Sequence, residues 1–364
     1  MAVLVLVLTA AVAVALASNG TGSPTTAAAG TTAGAAPPKP LVPTHLLAMP
    51  REAISNGTDA VTVALSGPAA QGSPAPTLRP AVAGTWADVG DDLVFTPAST
   101  LEPCATYRIT VWANTRAADA AALGHRHVAE LHVACPPVAG LQEALARLGY
   151  LPARLHTRYA VAIPSGREAR REAAAHAFDP PRGALAPAPS DAPHVQLGSI
   201  EAVTRGALTV YQLDHGLEAD GEPGTQTWNS IISAVSANRR SRTPYTWVTV
   251  SESLPETLQV HRGSRVVFST PANTGVPGAE TAQGVFPIYS RFVTTSMKGT
   301  DVDGTKYDVP DVPWVNYFNG GDAVHGYPRA SYGFPQSNGC VELPIEAAHT
   351  VFNMLSLGDI VIVS

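Results

Sequence analysis

Between His325 and Cys340 the chain reads HGYPRASYGFPQSNGC: one imidazole and one thiol, separated largely by Gly, Pro, Ser, Tyr and Asn. That composition does not hold a helix, so the segment is a loop that returns an imidazole to a thiol. Free Cys titrates near ~8.5, and a thiol becomes a good nucleophile at neutral pH only with a base beside it. Cys340 is therefore read as a nucleophile and His325 as its base. Taken alone, the two residues also fit a buried structural Cys and an unrelated surface His, and the choice turns on what surrounds them.

The cysteine count bears on it first. Cys104, Cys135 and Cys340 make an odd set. In an exported chain an even set pairs, and the remaining thiol is reactive or intermolecular. Cys104 and Cys135 border strand-like runs of one β region and are expected to be bridged. Loop closure would then stabilise that region by roughly 3–4 kcal/mol. Two buried thiols are the alternative there, and either way Cys340 stands alone. His125, His127 and His132 do not make a metal site: alternation sets His132 on the opposite face, and no carboxylate has a ligating spacing. No metal and no cofactor are implied.

Export is read from residues 1–17, where an uninterrupted apolar run ends in Ala15-Leu16-Ala17 before Ser18. The run is short for a membrane span, which needs ~20 residues, and its end has the small-residue pattern of a signal peptide. A short membrane anchor is the other reading, which would give the N-terminus membrane contact. Residues 18–45, rich in Ala, Thr, Gly, Ser and Pro, bury too little to fold and read as a disordered linker. The net charge is −6 and 14% of residues are charged, so no nucleic-acid partner is expected, because that function carries a basic footprint.

The elements that must position the loop follow from periodicity. Residues 46–136 alternate in short runs (AVTVALSG, DLVFTP, YRITVWA, HVAELHV) between Pro, Gly and Asp clusters, the pattern of a β-sandwich. Trp86 and Phe95 are read as its core. Residues 137–238 change period. LQEALARLGYL has Leu141, Leu145 and Leu148 at helical spacing, and Ala207, Val210 and Tyr211 form a second stripe. Another helix starts near Thr225, after a turn at Asp220-Gly221. A Pro/Ala/Arg-rich insertion at 156–196 splits this region. From Tyr245 the chain alternates again, with turns at 253–256 and 262–264, a late helix over 346–356 and an apolar last strand. The whole is mainly β.

These segments carry family resemblances. PTLRPAVAGTW (76–86) and LVFTPASTLEPCATYRITV (93–111) resemble bacterial Ig-like domains. The LGY turn and the DGEPGTQTW element (220–228) resemble the small helical peptidoglycan-binding module, which implies a groove for glycan or stem peptide; a purely structural spacer is the alternative. Residues 239–364 resemble the L,D-transpeptidase catalytic domain. NTG (273–275), TAQGVFPI (281–288), DGTKYDVPDVPWVNYFNGGDAVHG (303–326) and QSNGCVELP (336–344) stand in that family's order. Two residues depart from its pattern: Asn338 where a second His is usual, and Glu342 where Arg is usual. An amide can give and accept hydrogen bonds but cannot titrate.

The resemblance implies a mixed β-sandwich and an acyltransferase that cross-links peptidoglycan. The Cys340 thiolate attacks a stem-peptide carbonyl and expels the terminal D-amino acid, and an amine on a neighbouring stem resolves the thioester. His325 carries the proton, and the Gly326 carbonyl holds its tautomer. Backbone N–H groups around Asn338, Gly339 and Cys340 meet the oxyanion, Ser337 supports the loop, and Tyr317 lines the substrate. Carbapenems are expected to acylate the thiol. An L,D-carboxypeptidase, or a hydrolase that releases wall proteins, uses the same chemistry with a different acceptor; a non-catalytic peptidoglycan-binding protein is the third alternative. All of these place the protein outside the cytoplasm, in the cell wall or a periplasm-like space, secreted or tethered by its N-terminus.

Overall fold

The computed structural model describes residues 40–50, 57, 59–152, 154–155, 185–186, 193–196 and 198–364. The expected leader, most of the expected linker and most of the insertion at 156–196 lie outside the described residues. Among those described, no helix is long and apolar enough to cross a membrane. The protein is mainly β, in three regions that each have a hydrophobic cluster of their own.

In the first region, β1 (Val42–Pro43) pairs with β8 (Ala120–Ala121), and two larger sheets face each other. One has the order β2 (Leu46–Ala48), β3 (Val61–Leu65), β6 (Asp92–Pro97), β5 (Gly84–Val89); the other is β4 (Thr77–Arg79), β7 (Thr106–Val111), β9 (His127–His132). Alternation sets the core. Val61, Val63 and Leu65 of β3 point inward with Phe95, Tyr107, Ile109, Val111 and Leu131, because successive strand side chains face opposite ways. Trp86 packs half-buried on Phe95, ring centroids 5.3 Å apart. Cys104 and Cys135 are bonded.

The second region is helical: α1 (Val138–Leu148), α2 (Ala202–Asp214) and α3 (Thr225–Ser236), beside a short pair of strands, β10 (Arg154–Leu155) and β11 (Leu185–Ala186). Leu141, Leu145 and Leu148 meet Leu208, Tyr211, Trp228 and Ile231 in its core. Gly149 ends α1 in the left-handed conformation (φ 89°), and the N–H of Tyr150 returns to Leu145 O, the usual way a glycine closes a helix. Two buried glutamines order the loops. Gln142 Nε2 donates to Gln196 O, Ser199 O and Thr204 Oγ1. Gln212 spans the Asp220–Thr227 turn, donating to Asp220 Oδ1, Glu222 O and Thr227 Oγ1 and accepting from Gly221 N–H. Trp228 is core, only 2% exposed.

The third region is a sandwich. Its first sheet has the order β14 (Arg265–Pro271), β13 (Thr257–Arg262), β12 (Thr246–Ser251), β20 (Ile360–Val363), β15 (Gly284–Pro287). The second runs β16 (Ser290–Thr300), β17 (Lys306–Asn319), β18 (Asp322–Gly326), β19 (Val341–Leu343). Val248, Val250, Leu258, Val260, Val361 and Val363 pack against Phe318, Val324, Val341 and Leu343. Ala348 and Val351 of α4 (Ile345–Met354) close the core. The pair β18–β19 is parallel. Parallel neighbours cannot be joined by a tight turn and need a long connection; here that connection is the loop 327–340.

Candidate active site

The ladder between β18 and β19 sets the candidate residues. Val324 pairs with Val341, His325 with Glu342 and Gly326 with Leu343. Cys340 is the last residue of the loop before β19, so the thiol sits at the entrance to the strand that pairs with the one holding the imidazole, although the loop separates them in sequence. Backbone wraps the sulfur. Cys340 Sγ lies 3.8 Å from Gly321 O, and the N–H of Ala323 donates to it. Solvent still reaches Cys340, which is half-buried, but protein closes around the sulfur. That burial pushes the thiol up to about 12, the N–H of Ala323 working against it and the carboxylates of Asp322 and Glu342 adding to it.

His325 is 3% exposed. Its Nδ1 lies 3.0 Å from Gly326 O; with Nδ1 as the donor, Nε2 is left as a proton acceptor. Burial pulls its pKa below the usual imidazole value, and the Gly326 carbonyl and the Glu342 carboxylate restore part of it. Burial thus favours the neutral form of both the thiol and the imidazole.

The loop is held from beneath by the segment 273–276. Asn273 and Glu342 exchange backbone hydrogen bonds, Thr274 O accepts from the N–H groups of Gln336 and Ser337, and Val276 N–H donates to Ser337 O. Glu256, buried, fixes that segment by accepting from Thr274 N–H and Thr274 Oγ1, both at 2.7 Å. A Cβ on Gly275 would fall 2.0 Å from Ala279 O, so only glycine fits there. Thr281 Oγ1 accepts from Gly275 N–H.

Within the loop, Ser337 Oγ donates to Cys340 O at 2.5 Å. Gly339 is left-handed (φ 101°), and a Cβ there would strike the Asp322 carboxylate at 2.7 Å. The N–H groups of Asn338, Gly339 and Cys340 meet no acceptor among the described residues, and neither does the Asn338 side chain. Tyr317, on β17, pairs in register with Ala323 and packs in the same cluster as Cys340. Burial and the nearby thiol raise its phenol, and they do the same to Tyr307 near the start of the same strand.

Sequence reading did not find Glu256, Asp322, Arg329 or Tyr307. Thr281 was inside a recognised motif, and Arg329 lay in the loop itself. Nothing local marks Glu256, whose partner is 18 residues away. Glu342 had appeared only as a departure. In the structure it is 5% exposed and takes a two-pronged ion pair from Arg329, Nε to Oε2 at 2.7 Å and Nη2 to Oε1 at 2.8 Å. The outlying histidines stay outside any site: His132 is exposed and bonded to Thr106, and no group of metal-ligating side chains exists among the described residues.

Residues 245–363 match the YkuD family model, the L,D-transpeptidase catalytic domain. The match covers the C-terminal third of the chain. No curated protein matches the chain. Among solved structures, the catalytic domain of the E. faecium L,D-transpeptidase is 24% identical, over 34% of this chain and 100% of that one, with a TM-score of 0.31. An L,D-transpeptidase from Mycobacterium smegmatis is 13% identical over 89% of this chain and 98% of that one, TM-score 0.30. L,D-transpeptidase 3 from Mycobacterium tuberculosis, in complex with a faropenem-derived adduct, is 14% identical over 88% and 97%, TM-score 0.30.

Proposed function

We propose that this chain is an extracytoplasmic, cysteine-dependent L,D-transpeptidase that joins peptidoglycan stem peptides through a thioester on Cys340. One observation carries the reading: the segment matched by the L,D-transpeptidase model contains a free thiol on the residue that leads into β19, the strand paired with that of an imidazole whose Nδ1 is engaged by Gly326 O. His325 Nε2 takes the thiol proton as sulfur bonds to the donor carbonyl carbon. The C–N bond then breaks, and the proton passes to the leaving D-amino acid. An amine of a second stem attacks the thioester and loses its proton to His325, and the S–C bond breaks to regenerate the thiol.

The neutral resting pair favours proton removal concerted with attack over a preformed thiolate. The free N–H groups of Asn338, Gly339 and Cys340 are the oxyanion donors, each worth roughly 3–4 kcal/mol in the transition state. Asn338 stands where it cannot shuttle protons, so His325 does the acid–base work alone. Tyr317 lines the donor side. Residues 46–136 act as an Ig-like spacer and residues 137–238 as a peptidoglycan-binding module that brings the catalytic segment to its insoluble substrate.

Intact-mass spectrometry after incubation with a tetrapeptide stem, and separately with a carbapenem, tests this. A covalent increment on Cys340 and a joined stem dimer are expected. Release of the D-amino acid without dimer would assign a carboxypeptidase instead, and the absence of any adduct would leave a wall-binding protein.

A further inference from the structure

The proton transfer described above creates a positive charge at a place where water cannot reach it. His325 is 3% exposed, and its Nδ1 is already committed to a neutral carbonyl. An imidazolium there needs a counter-charge, since an uncompensated buried ion is strongly disfavoured. The groups facing His325 are few. Tyr327 comes from the loop, its ring set edge-on at 6.2 Å, and Cys340 stands one residue before β19. From α4, Ile345 and Ala348 approach the neighbouring Gly326, and both are apolar. From β17, Asn316 donates to Val324 O and is neutral. Among the described residues, ionic charge acting on His325 comes from Glu342, directly opposite it in the parallel ladder, and from Arg329, which grips Glu342.

We propose that Glu342, held by Arg329, is a positioning residue that supplies the counter-charge for the imidazolium formed at His325. The inference rests on the function proposed above. Three features fit it. Glu342 is the β19 residue whose register faces the imidazole. Its backbone is bonded both ways to Asn273, so the carboxylate cannot drift. Arg329 also donates to Gln336 O and lies 4.8 Å over the Tyr327 ring, which ties the carboxylate to both ends of the loop. Arg329 has a cost for the imidazole as well: its charge opposes protonation of His325, whereas Glu342 favours it. The pair thus sets His325 between two opposed influences, whereas a simple loop clamp would have no sign.

The test reads that sign. His325 is titrated by NMR in protein labelled with 13C-histidine, its signal assigned by loss in His325→Gln. Glu342→Gln should move the His325 pKa down and Arg329→Gln should move it up, each by about one unit, the size expected for a charge a few ångströms away. Arg329→Lys keeps the charge and should stay near wild type. In carbapenem acylation, the acid limb of the pH–rate profile should shift in the same two directions. Glu342→Gln should also slow the plateau at least about tenfold. Shifts of the same sign, or none, in the two Gln variants would reduce the pair to a loop clamp and overturn the proposal. NMR shifts as stated with no acylation of the wild type would instead overturn the proposed function and leave the electrostatic assignment standing.

Discussion

Gly206 on α2 and Gly358 in the turn before β20 are in backbone contact: a Cβ on Gly206 would fall 2.3 Å from Gly358 O, and a Cβ on Gly358 would fall 2.4 Å from Gly206 O. The helical region therefore seats on the β15–β20 edge of the C-terminal sandwich and does not hang from a free linker. Gly206→Ala forces a carbonyl and a methyl into one space. It is expected to destabilise the protein by about 1–3 kcal/mol, the usual range for overpacking. A melting temperature equal to that of the wild type would show that this junction yields.

Asp359 follows that turn, and burial pushes its carboxyl up to about 7, against the N–H of Ser356 and the charges of Arg291 and Arg262. The folded value exceeds the unfolded one of ~3.9, so the native state holds a proton that the unfolded chain has lost. Stability contributed at this site is full below about pH 4 and falls as pH rises toward 7, by at most about 4 kcal/mol. Asp359→Asn keeps an acceptor for Ser356. The variant should match wild type in urea at pH 4 and exceed it at pH 8; equal midpoints at pH 8 would contradict the assignment.

Acylation should lose rate only when His325 becomes protonated. Because burial depresses that imidazole, the acid limb is expected below pH 6.5, with a plateau through neutral pH. His325→Ala should abolish the limb along with most of the rate, and Cys340→Ser should leave no adduct by mass spectrometry. Retention of more than about a thousandth of the activity in Cys340→Ser would remove it as nucleophile.

Asp322 lies against Gly339 and raises the Cys340 thiol. Asp322→Asn removes the charge and nearly preserves the shape, and the amide keeps an oxygen to accept from Ala282 and Asn319. Alkylation of Cys340 by iodoacetamide at pH 8 should become several-fold faster. Slower alkylation would mean that the carboxylate mainly shapes the loop.

Glu256→Ala would strip two acceptors from Thr274 and leave a buried N–H and hydroxyl unpaired. A loss of about 2–5 kcal/mol is expected, with faster amide exchange at 273–276 and 336–337. Unchanged exchange there would separate Glu256 from the loop.

What could be read in the sequence was local. The helical spacing of Leu141, Leu145 and Leu148 and the alternation of β3 and β7 each live within a few residues, and the thiol and the histidine are read from a single continuous loop segment, His325 to Cys340. The Cys104–Cys135 bond was legible because three cysteines admit few arrangements. The pairings that hold the site were not legible, because they depend on the path of the chain. Glu342 read as an odd residue until the loop brought Arg329 to it. Glu256 carries no motif, and its role exists only once β13 and β14 have paired and returned the chain to Thr274. The seat of α2 on β20 could not be seen either, since two glycines far apart give no periodic signal.

The depth of the Cys340 sulfur has a consequence for the chemistry of the surroundings. A disulfide such as Cys104–Cys135 persists in an oxidising compartment, and in such a compartment an exposed thiolate would be consumed by peroxide or captured by disulfide exchange. Both attacks need the ionised sulfur. A thiol held up to about 12 presents almost none of it, so under the proposed function the same burial that demands a base would also keep the sulfur reduced between turnovers.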